Sequence, residues 1–279
     1  MHLKAKNDGA ALLIVLMISA CLAAIMMFFS TQGQLTNNYT EILKNRSNVE
    51  LEVHSIQSEL VFELITTPLS VLGPTSSSGE QFTDSTFFDN INGKPFKYRD
   101  YDIVVQDLFG VVSLMPFDEK RFRQLILRET TPENLQTIMD RLDDWQDKDD
   151  LVRLEGAEKG DYEQPFLPAN KTIQSKQELR YILGDESLFE KVAGNLVMYG
   201  SPYLVRQFAP SNLYSVLDFS NNSDTSGSAE NGNERVYPSG RFKIKILSRT
   251  NSNYAKQFVF YRGVGSIRPY FISNEKLVF

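Results

Sequence analysis

The segment from Asp143 to Glu163 carries nine carboxylates and three Lys or Arg. Carboxylates packed so closely repel one another unless a positive charge neutralises them. A hard cation such as calcium, which takes about six to eight oxygen ligands, would supply that charge. Gly156 and Gly160 would let the chain turn around such an ion, although the spacing is not that of an EF-hand loop. The candidate ligands are Asp147, Asp149, Asp150, Glu158 and Asp161.

The same segment has two other interpretations. It could be a solvated acidic loop in which Arg153 acts as the internal counter-ion. It could also belong to a hydrolase that uses paired carboxylates as acid and base, and loss of activity in an Asp149→Asn variant would then be the deciding result. No G-x-S-x-G motif accompanies the carboxylates, and the chain has only His2 and His54. We therefore expect no enzyme.

Alternating helix-like and strand-like patterns must position this segment. Apolar residues at helical spacing predict four helices: one after Asp118, one capped by Thr131 with Pro132 in its first turn, one opened by a capping box at Ser175–Glu178, and one over about 186–194. Trp145, the only tryptophan, is expected in their core. Strand-like runs flank these helices at 97–105, 111–115, 241–249, 256–262 and 270–272. The Ser- and Gly-rich stretches at 70–86 and after Ser220 are typical of loops.

The N-terminus contains an uncharged apolar run from Ala10 to Phe29. A helix of that length rises about 30 Å and can cross a bilayer. Lys4 and Lys6 precede it, so the short N-terminal end should stay cytoplasmic. The run is long for a secretory signal peptide. A lipoprotein with a lipidated Cys21 and a type IV pilin-like leader ending at Gly9 are the other interpretations.

The helical pattern continues beyond the apolar run. No Pro occurs from Thr31 to Thr67, apolar residues recur three or four apart, and Pro68 is a plausible stop. We predict one helix from about Ala10 to Thr66, roughly 85 Å long. A generic single-pass anchor with a stalk would give the same pattern.

Composition limits the function classes. The net charge is −6, with a pI near 5.1, which argues against a nucleic-acid binder. A weak resemblance to a helix-hairpin-helix over 179–198 has acidic residues where phosphate would lie, so a membrane-anchored nucleic-acid module remains only the alternative. Cys21 is the only cysteine and can form no intrachain disulfide.

The acidic segment resembles the signature of the K-type minor pseudopilins of type II secretion. The positions that carry the resemblance are Asp144, Trp145, Arg153, Gly156, Ala157 and Tyr162, with the acidic residues between them. Weaker similarities lie at 107–114, 165–170, 175–183 and 209–217, so the resemblance spans most of the chain. Ser113 departs from the family pattern, which usually has Asn there.

The resemblance implies an α+β fold: a type IV pilin-like long N-terminal helix packed on an antiparallel sheet, with an inserted all-α domain. The expected organisation is a leader at 1–9, a transmembrane part at 10–29, a pilin-like domain at 30–115 and 206–279, and the inserted domain at 116–205. Ile14 stands where most pilin-like proteins have a Glu, an absence expected of the K type.

The resemblance also implies processing, location and partners. Prepilin peptidase would cut between Gly9 and Ala10, and Ala10 would be N-methylated. The mature chain would cross the bacterial inner membrane once, keep its globular part in the periplasm, and join the I- and J-type minor pseudopilins at the pseudopilus tip. The major pseudopilin and the inner-membrane assembly platform are further expected partners, and calcium is the expected cofactor.

Overall fold

A computed structural model describes residues 8–73, 90–163, 167–202, 204–217, 237–249, 254–263 and 268–278. Within them the chain falls into two compact units, Met1–Ser58 and Glu59–Phe279. Most of the loop predicted at 70–86 lies outside the described residues, as do the polar stretch that follows Ser220 up to residue 236 and Pro165. Residues 70–72, predicted as part of that loop, belong to a single helical turn.

The N-terminal helix α1 spans Asp8–Thr66 and ends two residues before Pro68. Of the described helices, it is the one long and apolar enough to cross a membrane by length and composition, and its most apolar stretch is not buried in the protein. Charged and polar residues begin beyond Phe29, which is why the bilayer-compatible stretch occupies only the first half. The long helix is therefore as the periodicity predicts.

The second unit begins with the last turns of α1. Leu60 and Leu64 are fully buried, and Glu59 accepts hydrogen bonds from the Tyr98 hydroxyl (2.7 Å) and the Arg99 guanidinium (3.0 Å). Arg262 Nη1 lies 3.5 Å from the carbonyl oxygen of Leu64. These contacts join the end of the helix to the sheet. A single turn, α2 (Leu69–Leu72), follows.

A five-stranded antiparallel sheet forms the core of this unit, in the order β1-β2-β5-β6-β7. One face of β5 and β6 is buried. On β5, Phe242, Ile244 and Ile246 alternate with other residues, and Phe242 and Ile244 align with Phe260 and Phe258 of β6. The strands are β1 (Asn92–Tyr98), β2 (Tyr101–Asp107), β5 (Arg241–Ser248), β6 (Ala255–Arg262) and β7 (Tyr270–Val278).

The prediction of a single strand over 97–105 is wrong in detail. It is the end of β1 and most of β2, joined by a tight turn at Arg99 and Asp100 in which Tyr98 faces Tyr101. Arg99 has a φ of 51°, a left-handed conformation that usually takes Gly or Asn. The pattern carried no such residue to mark the hairpin.

The helices lie between β2 and β5. Their shared core contains the fully buried Phe122, Ile138 and Trp145. Two short strands, β3 (Val112–Met115) and β4 (Leu196–Tyr199), form a separate parallel pair at its edge, and β4 was not predicted. The helices are α3 (Glu119–Leu127), α4 (Pro132–Gln146), α5 (Leu179–Leu183) and α6 (Glu186–Ala193).

Capping explains where most of these helices begin. The Thr131 hydroxyl accepts from Asn134 N, and the Asp185 carboxylate accepts from Ser187 N and Leu188 N. The capping box predicted at Ser175–Glu178 does not form. Ser175 accepts from Gln177 N at the start of a single 3₁₀ turn. Glu178 accepts from Gln174 N (3.2 Å), one residue before the expected position, and from Trp145 Nε1.

The α+β prediction is confirmed: a long N-terminal helix, an antiparallel sheet and additional helices are all present. The predicted domain boundaries stay predictions. Near one of them, at 115, β3 pairs with β4 rather than with a strand of the five-stranded sheet.

Candidate functional site

The acidic segment begins in the last turn of α4 and continues as a loop without regular structure. Asp144 faces inward and is fully buried, Asp147 caps the helix C-terminus, and Asp143 is exposed. The carboxylates therefore face different environments despite their closeness in sequence.

Arg153 is the internal counter-ion of this loop. Its Nη1 donates hydrogen bonds to Asp144 Oδ1 and to Asp147 Oδ2 (2.6 Å), and its Nε lies 3.8 Å from Asp143 Oδ2. These bonds to Asp147 and Asp144 raise the pKa of Arg153. One guanidinium thus partly neutralises three carboxylates.

The second oxygen of Asp144 fixes the backbone of the loop. It accepts from Arg153 N (3.2 Å) and from Ala157 N (3.0 Å). Gly156 lies so close that a Cβ built on it would stand 1.8 Å from this oxygen. Asp144, Arg153, Gly156 and Ala157 therefore form one structural unit, in which the glycine makes room for the carboxylate.

The two remaining motif residues, Trp145 and Tyr162, lie on the side of the acidic loop that faces the helical core. Trp145 is fully buried, as predicted, and its Nε1 donates to Glu178 Oε2 (3.1 Å). Its ring meets Tyr162 edge to face at 5.6 Å and stacks on Tyr181 at 6.1 Å. These contacts attach the loop to the helical core.

Three carboxylates lie close together in this arrangement, and two of them keep oxygens without a donor. Asp144, Asp147 and Glu158 each offer an oxygen, and the three oxygens lie within 4.8 Å of one another. Asp147 Oδ1 and both oxygens of Glu158 are buried without a hydrogen-bond donor. Burial, followed by the charges of Asp144, Asp147 and Asp150, raises the pKa of Glu158.

Tyr162 experiences the negative charge of the same carboxylates. Its hydroxyl is buried without a partner. Burial raises the pKa of Tyr162 to about 12, and the charges of Asp144, Glu158 and Asp161 add to the rise. Negative charge therefore exceeds positive charge at the inner side of the loop.

Carboxylate oxygens without donors are the ligands that a hard cation prefers, so the residues present fit calcium. Of the predicted ligands, Asp147 and Glu158 belong to the group of three. Asp149 instead accepts from Leu151 N (3.0 Å), Asp161 accepts from Glu158 N (2.9 Å), and Asp150 Oδ1 lies 3.5 Å from Asn170 Nδ2.

Asp144 was predicted as a motif residue and not as a ligand. The signal that could have found it is its spacing from Asp147, because residues three apart share one face of a helix. The predicted cleavage point between Gly9 and Ala10 falls in the first turn of α1. Processing there stays a prediction.

Three kinds of comparison with known proteins bear on this arrangement. Residues 107–199 match the family model described as "Type II secretion system (T2SS), protein K". This segment contains α3 to α6, both short strands and the whole acidic loop. Comparison with curated protein sequences found no match.

Among solved structures, the fold is similar to a chain of the GspK-GspI-GspJ complex from the type 2 secretion system of enterotoxigenic Escherichia coli. The identity is 14%, the TM-score is 0.52, and the alignment covers 85% of this chain and 98% of that chain. At this identity the match shows a shared fold.

Proposed function

We propose that this chain is a K-type minor pseudopilin of type II secretion and acts with I- and J-type minor pseudopilins in a complex at the tip of the periplasmic pseudopilus. The observation that carries the proposal is the helical block between β2 and β5, because the family match covers it. We infer that a subunit with such an inserted block stands at the tip, where no further subunit is stacked above it.

The anchor half of α1 supports membrane attachment. Its apolar stretch is exposed to the surroundings of the protein and bears no charge from Leu12 to Phe29, as lipid-facing helices require. We infer a single crossing of the inner membrane with the globular part in the periplasm. Prepilin peptidase would cleave after Gly9, and Ala10 would become the methylated N-terminus.

The processing step has a direct test. Intact-mass spectrometry of the full chain purified from membranes, with and without prepilin peptidase, should show a peptidase-dependent start at Ala10, heavier by one methyl. A lipidated Cys21, or an unprocessed Met1 in cells that mature other pilins, would contradict the proposal.

Beyond the apolar stretch, α1 exposes an apolar surface suited to partner helices. Leu35, Tyr39, Ile42 and Leu43 are each more than half exposed and lie on one side at helical spacing. Apolar helix faces of this kind gain free energy when a second helix covers them. We propose that the I- and J-type subunits bind here.

Co-purification of the full chain with both minor pseudopilins in mild detergent tests this contact. Ile42→Glu should reduce partner recovery at least about tenfold, because a buried unpaired carboxylate disfavours the complex. Asn37→Glu, which adds the same charge on the opposite side, is the matched control and should retain recovery. Equal loss in both variants, or in neither, would refute this binding face.

The alternative functions receive no support from the site. The turn between α5 and α6, where a helix-hairpin-helix would contact phosphate, carries the capping carboxylate of Asp185, and Glu186 pairs with Arg180 at 3.0 Å. We infer no catalytic role, since the carboxylates of the loop hold Arg153 and backbone N–H groups. Asp149→Asn should leave secretion unchanged.

We further propose that the acidic loop binds calcium through Asp147 and Glu158, with Asp144 adjacent. A bound divalent cation would neutralise the carboxylates that Arg153 leaves uncompensated. The support is the set of buried oxygens that have no donor.

Calcium titration of the full chain, followed by calorimetry and by the melting temperature, tests this site. At about one hundred times Kd, bound calcium should stabilise the fold by about 3 kcal/mol. Glu158→Gln should abolish that gain, while Glu190→Gln on α6 should keep it. A gain of equal size in Glu158→Gln would place the ion elsewhere.

A further inference from the structure

The acidic loop presents an apolar segment to solvent at residues 151–154. Leu154 is 94% exposed, Leu151 is 76% exposed, and Val152 is also more than half exposed. The two leucines are the most exposed large apolar side chains in the part of the chain that the structure describes, ahead of those in the apolar stretch of α1. Apolar clusters that are exposed and surrounded by polar residues commonly mark a contact with another protein.

Carboxylates of the loop and of α4 hold the backbone of this segment. Three backbone N–H groups, at every second residue, each donate a hydrogen bond to a carboxylate. The donors are Leu151 N, Arg153 N and Glu155 N, and the acceptors are Asp149 Oδ1 (3.0 Å), Asp144 Oδ2 (3.2 Å) and Asp140 Oδ2 (3.2 Å). The apolar side chains are therefore held in place before a partner arrives, and this lowers the ordering cost of binding.

Acidic residues flank the apolar segment. Asp149 and Asp150 come directly before it and Glu155 comes directly after it, and all three are exposed. Lys148 offsets one of these charges, so the surroundings of the leucines stay acidic. A surface that binds this segment therefore needs an apolar pocket with cations beside it.

A pocket of this kind is present on the same chain. It is an open recess of about 470 Å³, lined by Tyr199, Arg241, Tyr261, Arg262, Phe271 and Ser273. The Tyr261 and Phe271 rings stack at 4.3 Å, and about half of Phe271 and of Tyr199 is exposed. Pockets of about 300 Å³ already hold whole small ligands, so the recess has room for aliphatic side chains. Two of its described lining residues are cations and none is an acid.

The recess lies where the helical block stops covering the sheet. Val259 on β6 is buried against Leu108 and Val111, so the sheet is closed at that row. Arg241 belongs to the next same-face row, where it aligns with Tyr261 of β6, and it is exposed. Among the described residues, no hydrogen bond or ion pair engages its guanidinium, which is therefore available to a carboxylate.

We propose that the apolar segment of one copy of this chain binds in the aromatic recess of a second copy. Leu154 contacts Tyr199 and Phe271, and Glu155 meets the guanidinium of Arg241. Apolar burial supplies the attraction, and the opposite charges favour this arrangement over contact between two acidic loops. Because the two patches differ, the contact is head-to-tail, and it either closes into a ring or continues as a chain of copies. The proposal does not depend on the assembly role.

Disulfide cross-linking between two single-cysteine chains tests this contact. The full chain is used in dodecyl maltoside with calcium present, and Cys21→Ser removes the native cysteine from every variant. Chains with Leu154→Cys are mixed with differently tagged chains that carry Tyr199→Cys, and the mixture is oxidised. We expect at least about five times more heterodimer than from Leu154→Cys mixed with Lys94→Cys, an exposed position on β1 at the opposite edge of the sheet from β7.

Charge reversal tests the polar half of the contact. Glu155→Arg on the first chain should lower the heterodimer yield about fivefold, since it places two cations against each other, and Arg241→Glu on the second chain should do the same with two acids. The two reversals together should restore most of the yield. Glu190→Arg on α6 is the matched control and should change the yield less than about twofold.

Three results would overturn the proposal: equal yields with Tyr199→Cys and Lys94→Cys, equal losses in Glu155→Arg and Glu190→Arg, or no recovery when the reversals are combined. Association through α1 alone gives the first of these results. An equally high yield between two Leu154→Cys chains would show that two acidic loops meet, which would also overturn it. Circular dichroism checks that each variant is folded. If Tyr199→Cys is not, Phe271→Cys in the same recess provides the test with the same expected ratio.

Discussion

The structure of the acidic loop predicts a large loss of stability for the substitution Gly156→Ala. The added methyl carbon would stand 1.8 Å from Asp144 Oδ2 and 2.8 Å from Asp144 Cγ. An ordinary contact requires about 3.4 Å, so the carboxylate must move by more than 1 Å. Asp144 cannot move freely, because it is fully buried and holds Arg153 N, Ala157 N and the Arg153 guanidinium.

The cost follows from the bonds that this movement breaks. A hydrogen bond to a charged group contributes about 1.5–3 kcal/mol, and the displaced oxygen accepts two from the backbone. The alanine also restricts the unfolded chain, which returns about 0.4–1 kcal/mol. We therefore expect Gly156→Ala to lower the free energy of unfolding by about 3 kcal/mol.

Urea unfolding in mild detergent, followed by Trp145 fluorescence, measures this loss. Trp145 is the only tryptophan and lies next to Asp144 in α4, so it reports on the loop directly. With a slope of about 2 kcal/mol per molar urea, the midpoint should fall by about 1.5 M. Gly194→Ala is the matched control, because no atom lies within 4 Å of its Cβ and its φ of −62° is helical. It should be neutral or slightly stabilising.

A loss in Gly156→Ala within about 1 kcal/mol of that in Gly194→Ala would refute the account of Asp144. The double variant Asp144→Ala/Gly156→Ala gives a second check. Its stability should equal that of Asp144→Ala, since the methyl group no longer meets a carboxylate. Additive losses would show that the two residues do not act on each other.

Three further substitutions test other buried polar groups. Arg121→Met removes the 2.6 Å ion pair of Asp118, whose side chain is only 10% exposed, and leaves that carboxylate with the backbone N–H of residue 121. It should cost about 3 kcal/mol in urea unfolding, and adding Asp118→Asn should recover part of this; no recovery would contradict the pairing. Burial raises the pKa of Asp107 from 3.8 to about 6, so the folded state binds a proton more tightly and stability should fall by about 3 kcal/mol in all as pH rises from about 3 to about 7. Asp107→Asn should lack this slope, and an unchanged slope would contradict the shift. Trp145→Phe loses the bond to Glu178 and should cost about 2–3 kcal/mol by circular dichroism, whereas a loss below 1 kcal/mol would show that the bond contributes little.

The sequence was most informative where one strong periodicity or cap decided the structure. Helix α1 ends at Thr66 because Pro68 follows, and α4 begins at Pro132 because Thr131 caps it. These signals depend only on neighbouring residues. The buried position of Trp145 followed from its size and from the apolar pattern around it.

Predictions failed where a distant partner decided the outcome. The box expected at Ser175 would need Glu178 to accept from Ser175 N, but the buried indole N–H of Trp145 also requires an acceptor, and the carboxylate lies where it accepts from Trp145 Nε1 and Gln174 N. Similarly, which of the many acidic residues come together depends on which side of the loop faces the core, and in the structure they are Asp144, Asp147 and Glu158. Spacing alone does not encode that choice.

The pairing of β2 with β5 has a consequence for how the chain folds. The two strands are antiparallel neighbours, with Asp107 facing Phe242, although residues 108–240 lie between them in sequence. β1 and β2 can meet through a two-residue turn, but the sheet closes only after the ends of this long excursion come together, and closure entropy slows such contacts. A helical block that folds by itself holds its own ends close and removes most of that cost. The insertion would then act as a template that brings β5 to β2, and the rate of sheet formation would depend on the stability of helices that contribute no strand to it.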